Sequence, residues 1–211
     1  QAAVDAAKRW GLKLHVRKAA TSAFSMRRPG VSVQSLARSH RYRFLLELAR
    51  KGSFRKVVTA HQLDDQAETV LLRAISGSWL TGLSGIPLKR PLARGAEDVT
   101  VIRPLLETSR AEVMTALKEL GEPYHHDPSN DRTSFTRNNV RHSLMPLVVN
   151  SFNPGAPSHL AALARQASEL DAQLVARART MLGRATREED GSAISILLGT
   201  LAFEPRIQQR Y

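Results

Sequence analysis

Residues 61–87, HQLDDQAETVLLRAISGSWLTGLSGIP, decide how this chain is read. An apolar run, Lys56-Val57-Val58-Thr59-Ala60, comes just before and reads as a buried strand. His61 then stands at the strand's end. Asp64, Asp65 and Glu68 open the next segment, and Val70, Leu71, Leu72, Ala74 and Ile75 give it a helical apolar pattern. A strand that ends in His and leads into a helix whose first turns carry carboxylates is the layout of an α/β site. Ligands in such folds lie beyond the carboxyl ends of parallel strands.

The spacing alone permits two readings of the acidic residues. Asp64 and Glu68, or Asp65 and Glu68, share a helix face and can grip an ammonium or a metal-bound phosphate. Equally, Asp65-x-x-Glu68 ahead of an apolar run is the pattern of a capping box, in which both side chains satisfy the helix's own backbone. His61 at the strand tip is suited to donating to a phosphate or moving a proton.

Composition narrows the partners. The net charge is +12, and 24 of the 31 basic residues are Arg. Such an excess points to a polyanion, because each phosphate contact releases counterions. Arg suits this better than Lys, since its planar fork reaches two oxygens. The alternative is a general Arg bias with no particular ligand. The chain has no Cys, which excludes disulfides, thiolate metal sites and Cys nucleophiles and agrees with a cytoplasmic setting. Its apolar runs fall short of a membrane helix, which needs roughly 18 residues or more, so no membrane partner is expected.

Taken in order, the chain opens with a helix on Ala3, Val4, Ala7 and Trp10, stopped by Gly11. Residues 12–16 alternate as a short strand, and residues 18–30 form a basic loop. A helix is expected from Val33 to about Arg50, carrying Ala37-Arg38-x-x-Arg41-Tyr42. After a loop over residues 86–99, Val99-Thr100-Val101-Ile102 reads as a strand ending at Arg103-Pro104. Thr108 is the expected N-cap of a helix over 109–120, and Gly121 its C-terminal stop. His125-His126-Asp127-Pro128-Ser129-Asn130 is a polar turn; two adjacent His without a third ligand at a sensible spacing do not predict zinc. Asn153-Pro154-Gly155-Ala156-Pro157 marks a boundary between a domain over 1–150 and a mainly helical part over 151–211. The latter holds a long amphipathic helix over 158–182, a charged turn over 184–191, a strand over 194–198 and the start of another helix at 204–211.

The string His61-x-x-Asp64-Asp65-Gln66-x-Glu68-Thr69 followed by Gly77-Ser78-x-x-x-Gly82-Leu83 resembles the signature of the tRNA(Ile)-lysidine synthetases, members of the PP-loop ATP pyrophosphatase superfamily. Three further features resemble theirs: the Ala37-Arg38…Arg41-Tyr42 helix, the turn Asp127-Pro128-Ser129-Asn130, and Arg137-Asn138-x-x-Arg141 with its following Pro146. The resemblance covers residues 33–174. It implies a mainly parallel, Rossmann-like sheet of the adenine nucleotide α-hydrolase type, flanked by helices, with a helical appendage. The implied reaction uses ATP to adenylate the wobble cytidine of an isoleucine tRNA, with pyrophosphate leaving. Free lysine then attacks through its ε-amine and releases AMP.

The resemblance also distributes roles. Asp65 and Glu68 would hold lysine, and His61 would lie by the nucleotide and the reacting base. Asp64 would serve metal or lysine. Arg137 and Arg141 would neutralise phosphate or position the adenylated intermediate. Arg38 and Arg110 would contact ATP, while Arg103 and Arg110 would contact tRNA or act structurally. Mg2+ is implied with ATP; no metal ligand is assigned. Trp79 would stack on a base or pack in the core, and Gly77, Gly82 and Gly85 would allow close approach to RNA or make turns.

The chain departs from the family at Gln34, where Glu is usual, at Ser76, where Arg is usual, and at Trp79, where Gly is usual. The family's phosphate loop, Ser-Gly-Gly-x-Asp-Ser, has no match in residues 1–30, nor has the His-x-x-His-Gly strand that follows it. The expectation is therefore a piece of a longer enzyme, its activity in isolation in doubt. Two other functions stay open: another PP-loop tRNA-modifying enzyme, or a non-catalytic tRNA-binding relative. Oligomeric state is open too, a homodimer included.

Overall fold

The computed structural model describes residues 2–18, 33–124, 136–189 and 193–196. They fall into two compact units, one of Gln1–Gln62 with Leu88–Asn130 and one of Leu63–Pro87 with Asp131–Tyr211. The sequence boundary expected at residues 153–157 lies inside the second unit. The basic loop after Lys18, the turn at 125–130 and the helix expected at 204–211 lie outside the described residues.

The first unit opens with α1 (Ala2–Arg9), ended by Gly11 at a φ of 61°. That left-handed turn lets Leu12 N–H bond the Ala7 carbonyl, a helix stop that glycine makes at no steric cost. The expected strand at 12–16 is absent. Leu12, Leu14 and Val16 are exposed, and a period-2 pattern gains nothing without a neighbouring strand to pair with.

Helix α2 (Val33–Lys51) and a three-stranded sheet make this unit's core. Strand β1 (Lys56–Val58) pairs in parallel with β3 (Thr100–Ile102), and β2 (Lys89–Pro91) pairs antiparallel with β3. β2 lies in the expected loop. Two Pro and a basic pair hid it, and Pro is tolerated because β2 is an edge strand. Ala49, Leu92, Val99 and Val101 are buried together, with Tyr42, Leu45, Leu46 and Val57 packed against them. β1 is not the buried strand expected: Val58 is 63 % exposed, because among the described residues β1 pairs only with β3 and turns one face outward. Helix α5 (Arg110–Glu119) begins with a capping box made by Ser109 and Glu112, so Ser109 is the cap and not Thr108. Gly121, at a φ of 65°, ends it as expected.

The second unit is built on α3 (Leu63–Ile75) and the long α8 (Ala156–Ala185), which pack together. Ala67 and Val70 of α3 and Ala164, Ala167 and Ala178 of α8 are buried, and alanines let helix backbones approach closely. A short α4 (Leu80–Leu83) also packs on α8, where Thr81 donates to Asp171. α6 (Thr136–Asn139), a π-helical turn (Val140–Leu144) and α7 (Met145–Ser151) form one continuous run. Pro146 explains the wide turn. It lacks an N–H, and its ring would crowd the carbonyl four residues back, so the ladder loosens ahead of it. β4 (Thr186–Glu189) and β5 (Ala193–Ile196) close the described chain as an antiparallel pair, so the charged turn expected at 184–191 is partly strand.

The two parallel-paired strands agree with the expected α/β class. Among the described residues no helix is long and apolar enough to cross a membrane.

Candidate functional site

In the second unit four charged side chains meet. Asp65 and Glu68 are three apart on α3, and Arg137 and Arg141 are four apart on α6 and the π-turn, so each pair shares one face of its element. Arg137 donates from Nε to Glu68 (3.1 Å) and from Nη2 to Asp65 (2.9 Å). Arg141 donates from Nε to Glu68 (2.6 Å) and from Nη2 to both Asp65 and Glu68 (3.0 Å each). Two like-charged pairs thus face each other and neutralise as a set. The Glu68 side chain is only 4 % exposed, which an ionised carboxylate tolerates only with such partners.

Burial works against the charge on Arg141. The bonds and field of Glu68, with those of Asp65, outweigh it and hold the guanidinium's proton more tightly than usual. The capping-box reading of Asp65 and Glu68 does not hold. The helix already starts at Leu63, so Asp65 is inside it and Glu68 reaches across to the arginines. Asp64 and Asp65 in the first turn still favour the helix dipole.

The loop after α3 is fixed by a residue the sequence reading passed over. Buried Gln66 accepts from Ile86 N–H (2.6 Å) and donates to the Ile86 carbonyl (3.1 Å). Gly85, at a φ of 65°, lies so close that a Cβ there would sit 2.5 Å from Gln66 Oε1. Gly85 is therefore a tight turn against a buried amide. Gly77, also at positive φ, faces open space, and a Cβ on Gly82 would meet Ser78. Trp79 is 63 % exposed, so of its two expected fates core packing is excluded.

The first unit places the other expected residues. His61 Nδ1 lies 3.0 Å from Thr59 Oγ1, just past the end of β1. Arg38 and Arg103, assigned separately to ATP and tRNA, meet at Tyr42. Arg38 Nη2 donates to the Tyr42 hydroxyl (3.4 Å), and Arg103 lies near enough to act on the same phenol. Arg110 instead donates to the Tyr124 hydroxyl (2.6 Å). Tyr42 was quoted in its motif without a role of its own, and Arg90, whose guanidinium stands over the Tyr42 ring, was not singled out from the sequence. The four-residue step from Arg38 to Tyr42 was a visible signal for Tyr42. Nothing marked Arg90.

Among the described residues no group of three or more His, Asp or Glu is placed to hold a metal ion. The oxygens of Asp65 and Glu68 are engaged by guanidinium groups. The described residues therefore do not fit a resident metal.

Comparison with known proteins brings these features together. A family model described as a PP-loop domain matches residues 1–148. The chain is 42 % identical over 122 residues to the tRNA(Ile)-lysidine synthase of Geobacillus kaustophilus, covering 58 % of this chain and 25 % of that one. It is 35 % identical over 178 residues to that of Geobacter sulfurreducens, covering 83 % and 36 %, and 34 % identical over 172 residues to that of Salinispora arenicola, covering 82 % and 50 %. The chain thus spans a quarter to half the length of these relatives. Among solved structures it resembles the U34-tRNA thiolase NcsA from Methanococcus maripaludis with its [4Fe-4S] cluster. The TM-score is 0.57 at 22 % identity, over 80 % of this chain and 54 % of that one, a likeness of fold.

Proposed function

The chain belongs to the PP-loop domain family, and from that premise we propose that it is part of an enzyme that joins lysine to the wobble cytidine of an isoleucine tRNA at the expense of ATP. The relatives' names support the reaction, and a cytoplasmic setting goes with it. A catalytic domain over 1–150 with a helical appendage over 151–211 is the arrangement we take; the family match ends at 148.

The observation that carries the reading is the Asp65–Glu68–Arg137–Arg141 cluster. Two carboxylates and two guanidinium groups complement both ends of a zwitterionic amino acid head group. On binding, the α-ammonium would replace guanidinium N–H groups at the Asp65 and Glu68 oxygens, and the α-carboxylate would take the planar fork of the arginine so released. A neutral cluster receives a neutral zwitterion, so no net charge is buried. The ε-amine is then left free to lose its proton and attack the activated base. In this reading Arg137 and Arg141 serve lysine first, where the sequence resemblance gave them phosphate.

The chemistry makes two other demands. The attacking amine must be deprotonated, and the leaving AMP must be stabilised by cations. His61, with its Nδ1 at Thr59, is the candidate to move that proton or donate to a phosphate oxygen. Asp64, in the first turn of α3, is a secondary candidate for lysine. ATP would bring Mg2+ with it as part of the substrate. Exposed Trp79 offers a face for a base of the tRNA.

The test is to incubate the full-length protein with ATP, labelled lysine and an isoleucine tRNA transcript carrying a wobble cytidine. Label should enter the RNA only with ATP present, and not when the wobble base is uridine. No incorporation rejects the reading. AMP release with some other acceptor would replace it with another PP-loop reaction.

A further inference from the structure

The cluster around Tyr42 has not been used by the reaction above. Tyr42, on α2, sits with Arg38 from its own helix, Arg90 from β2 and Arg103 from the end of β3, all within the first unit. Arg38 and Arg90 both stand over its ring, with guanidinium carbons 5.0 and 5.1 Å from the centroid. The hydroxyl accepts from Arg38 Nη2 at 3.4 Å, and Arg90 and Arg103 lie near enough to act on the same phenol. Arg103 is 1 % exposed, Arg90 is half-buried and held by the Pro91 and Leu92 carbonyls, and Arg38 is exposed. Three cations therefore converge on one phenol along a gradient from core to solvent.

The cluster is electrostatically loaded. Burial lowers the proton affinity of Arg103; the nearness of Tyr42 offsets part of this, and the fields of Arg90 and Arg38 lower it further. Burial raises the Tyr42 value, but the Arg38 field and the nearness of Arg90 and Arg103 more than reverse that and bring it down. Both effects describe a positive potential focused at one point. An anion brought there relieves the mutual repulsion of the guanidinium groups and accepts their planar forks.

The geometry also selects the kind of ligand. Two guanidinium groups already stand over the Tyr42 ring, so it does not offer a stacking platform to a base. What remains is phosphate recognition at a surface, and such contacts position nucleic acid without reading its sequence.

We propose that Arg38 and Arg90, gathered over Tyr42 with buried Arg103 adding its field from behind, form a binding site for a backbone phosphodiester of the RNA substrate. This rests on the reading above only in taking RNA as the substrate. A nucleotide's phosphate shares the chemistry, so the test has an arm for each source. Arg38→Gln, Arg90→Gln and Tyr42→Phe are made in the full chain, with exposed Lys8→Gln as a control for net charge. Binding of a labelled isoleucine tRNA transcript is followed by fluorescence anisotropy across a salt series, and binding of labelled ATP by equilibrium dialysis.

Each Arg variant should weaken RNA binding roughly threefold to tenfold. Each should also flatten the log–log salt slope by about 0.7–0.9, one contact's worth. Tyr42→Phe should weaken RNA binding less than either Arg variant, and ATP binding should not change. Losses no greater than for Lys8→Gln would overturn the site, as would a loss confined to ATP. If Arg90→Gln lowers thermal stability, exposed Arg38→Gln decides. Weaker RNA binding in the variants without lysine incorporation by the parent leaves this site standing and sinks the reaction; incorporation with unchanged slopes does the reverse.

Discussion

Removing the charge of Glu68 should cost the second unit about 3 kcal/mol, while removing it together with Arg141 should cost less than the two single losses combined. Glu68 accepts three guanidinium hydrogen bonds at 2.6–3.1 Å, and its side chain is 4 % exposed. Glu68→Gln keeps the shape but points an amide at two cations whose remaining carboxylate is Asp65. Taking one partner from a buried pair costs about 3–5 kcal/mol. Arg137 and Arg141 are 37 % and 28 % exposed, so water recovers part of that and the lower end applies. Glu68→Gln with Arg141→Gln removes one charge of each sign and leaves Asp65 with Arg137. The coupling in a double-mutant cycle should then be about 2 kcal/mol. Urea unfolding followed by circular dichroism supplies the four stabilities, provided the slope with denaturant is unchanged. Single losses that add, with coupling under about 0.5 kcal/mol, would show that the four groups do not act as a unit.

Gly85→Ala should destabilise by about 2 kcal/mol or more, since it combines a left-handed φ with a clash against buried Gln66; a melting temperature within a degree of the parent's would contradict this. Ser109→Ala should cost about 1 kcal/mol by removing the cap of α5, and Thr108→Ala much less; equal effects would return the cap to Thr108. Tyr42 should ionise below the ordinary phenol range, giving an early phase in the ultraviolet titration of the chain's three tyrosines, and Tyr42→Phe should remove that phase. The sign follows from its lowered folded value. The stabilisation is complete above the unfolded value of 10.0 and is lost as pH falls through the folded one, so Tyr42 adds stability only at alkaline pH. A single titration phase shared by the parent and Tyr42→Phe would refute it.

Local rules made α1, α2, α3, α5 and α8 legible, because a helical apolar period marks each, in places joined to a terminus signal such as Gly11 or Gly121. The two parallel-paired strands were legible as short β-branched runs. β2 was not, because an edge strand reading Lys-Arg-Pro shows neither alternation nor β-branching. The strand expected at 12–16 failed for the opposite reason: alternation states only that a segment could pair. At the site, Asp65 and Glu68 were visible as a helix-face pair, and Arg137 and Arg141 as part of a string that resembles the family's. Their mutual pairing was not, since which like-charged pair meets which is settled by tertiary packing and by the π-turn before Pro146. Arg38 and Arg103 were assigned to two ligands. Tyr42 gathers them, and 65 residues of separation hid that from any local pattern.

Competition against labelled lysine on the full-length protein shows directly which end of the amino acid the charged cluster holds. Norleucine has the head group without the ε-amine, and cadaverine has the amines without the carboxylate. If Asp65, Glu68, Arg137 and Arg141 receive the zwitterion, norleucine displaces lysine, cadaverine does not, and Glu68→Gln abolishes binding. Displacement by cadaverine alone would mean that the carboxylates grip the side-chain ammonium, with no part for the arginines in holding the substrate.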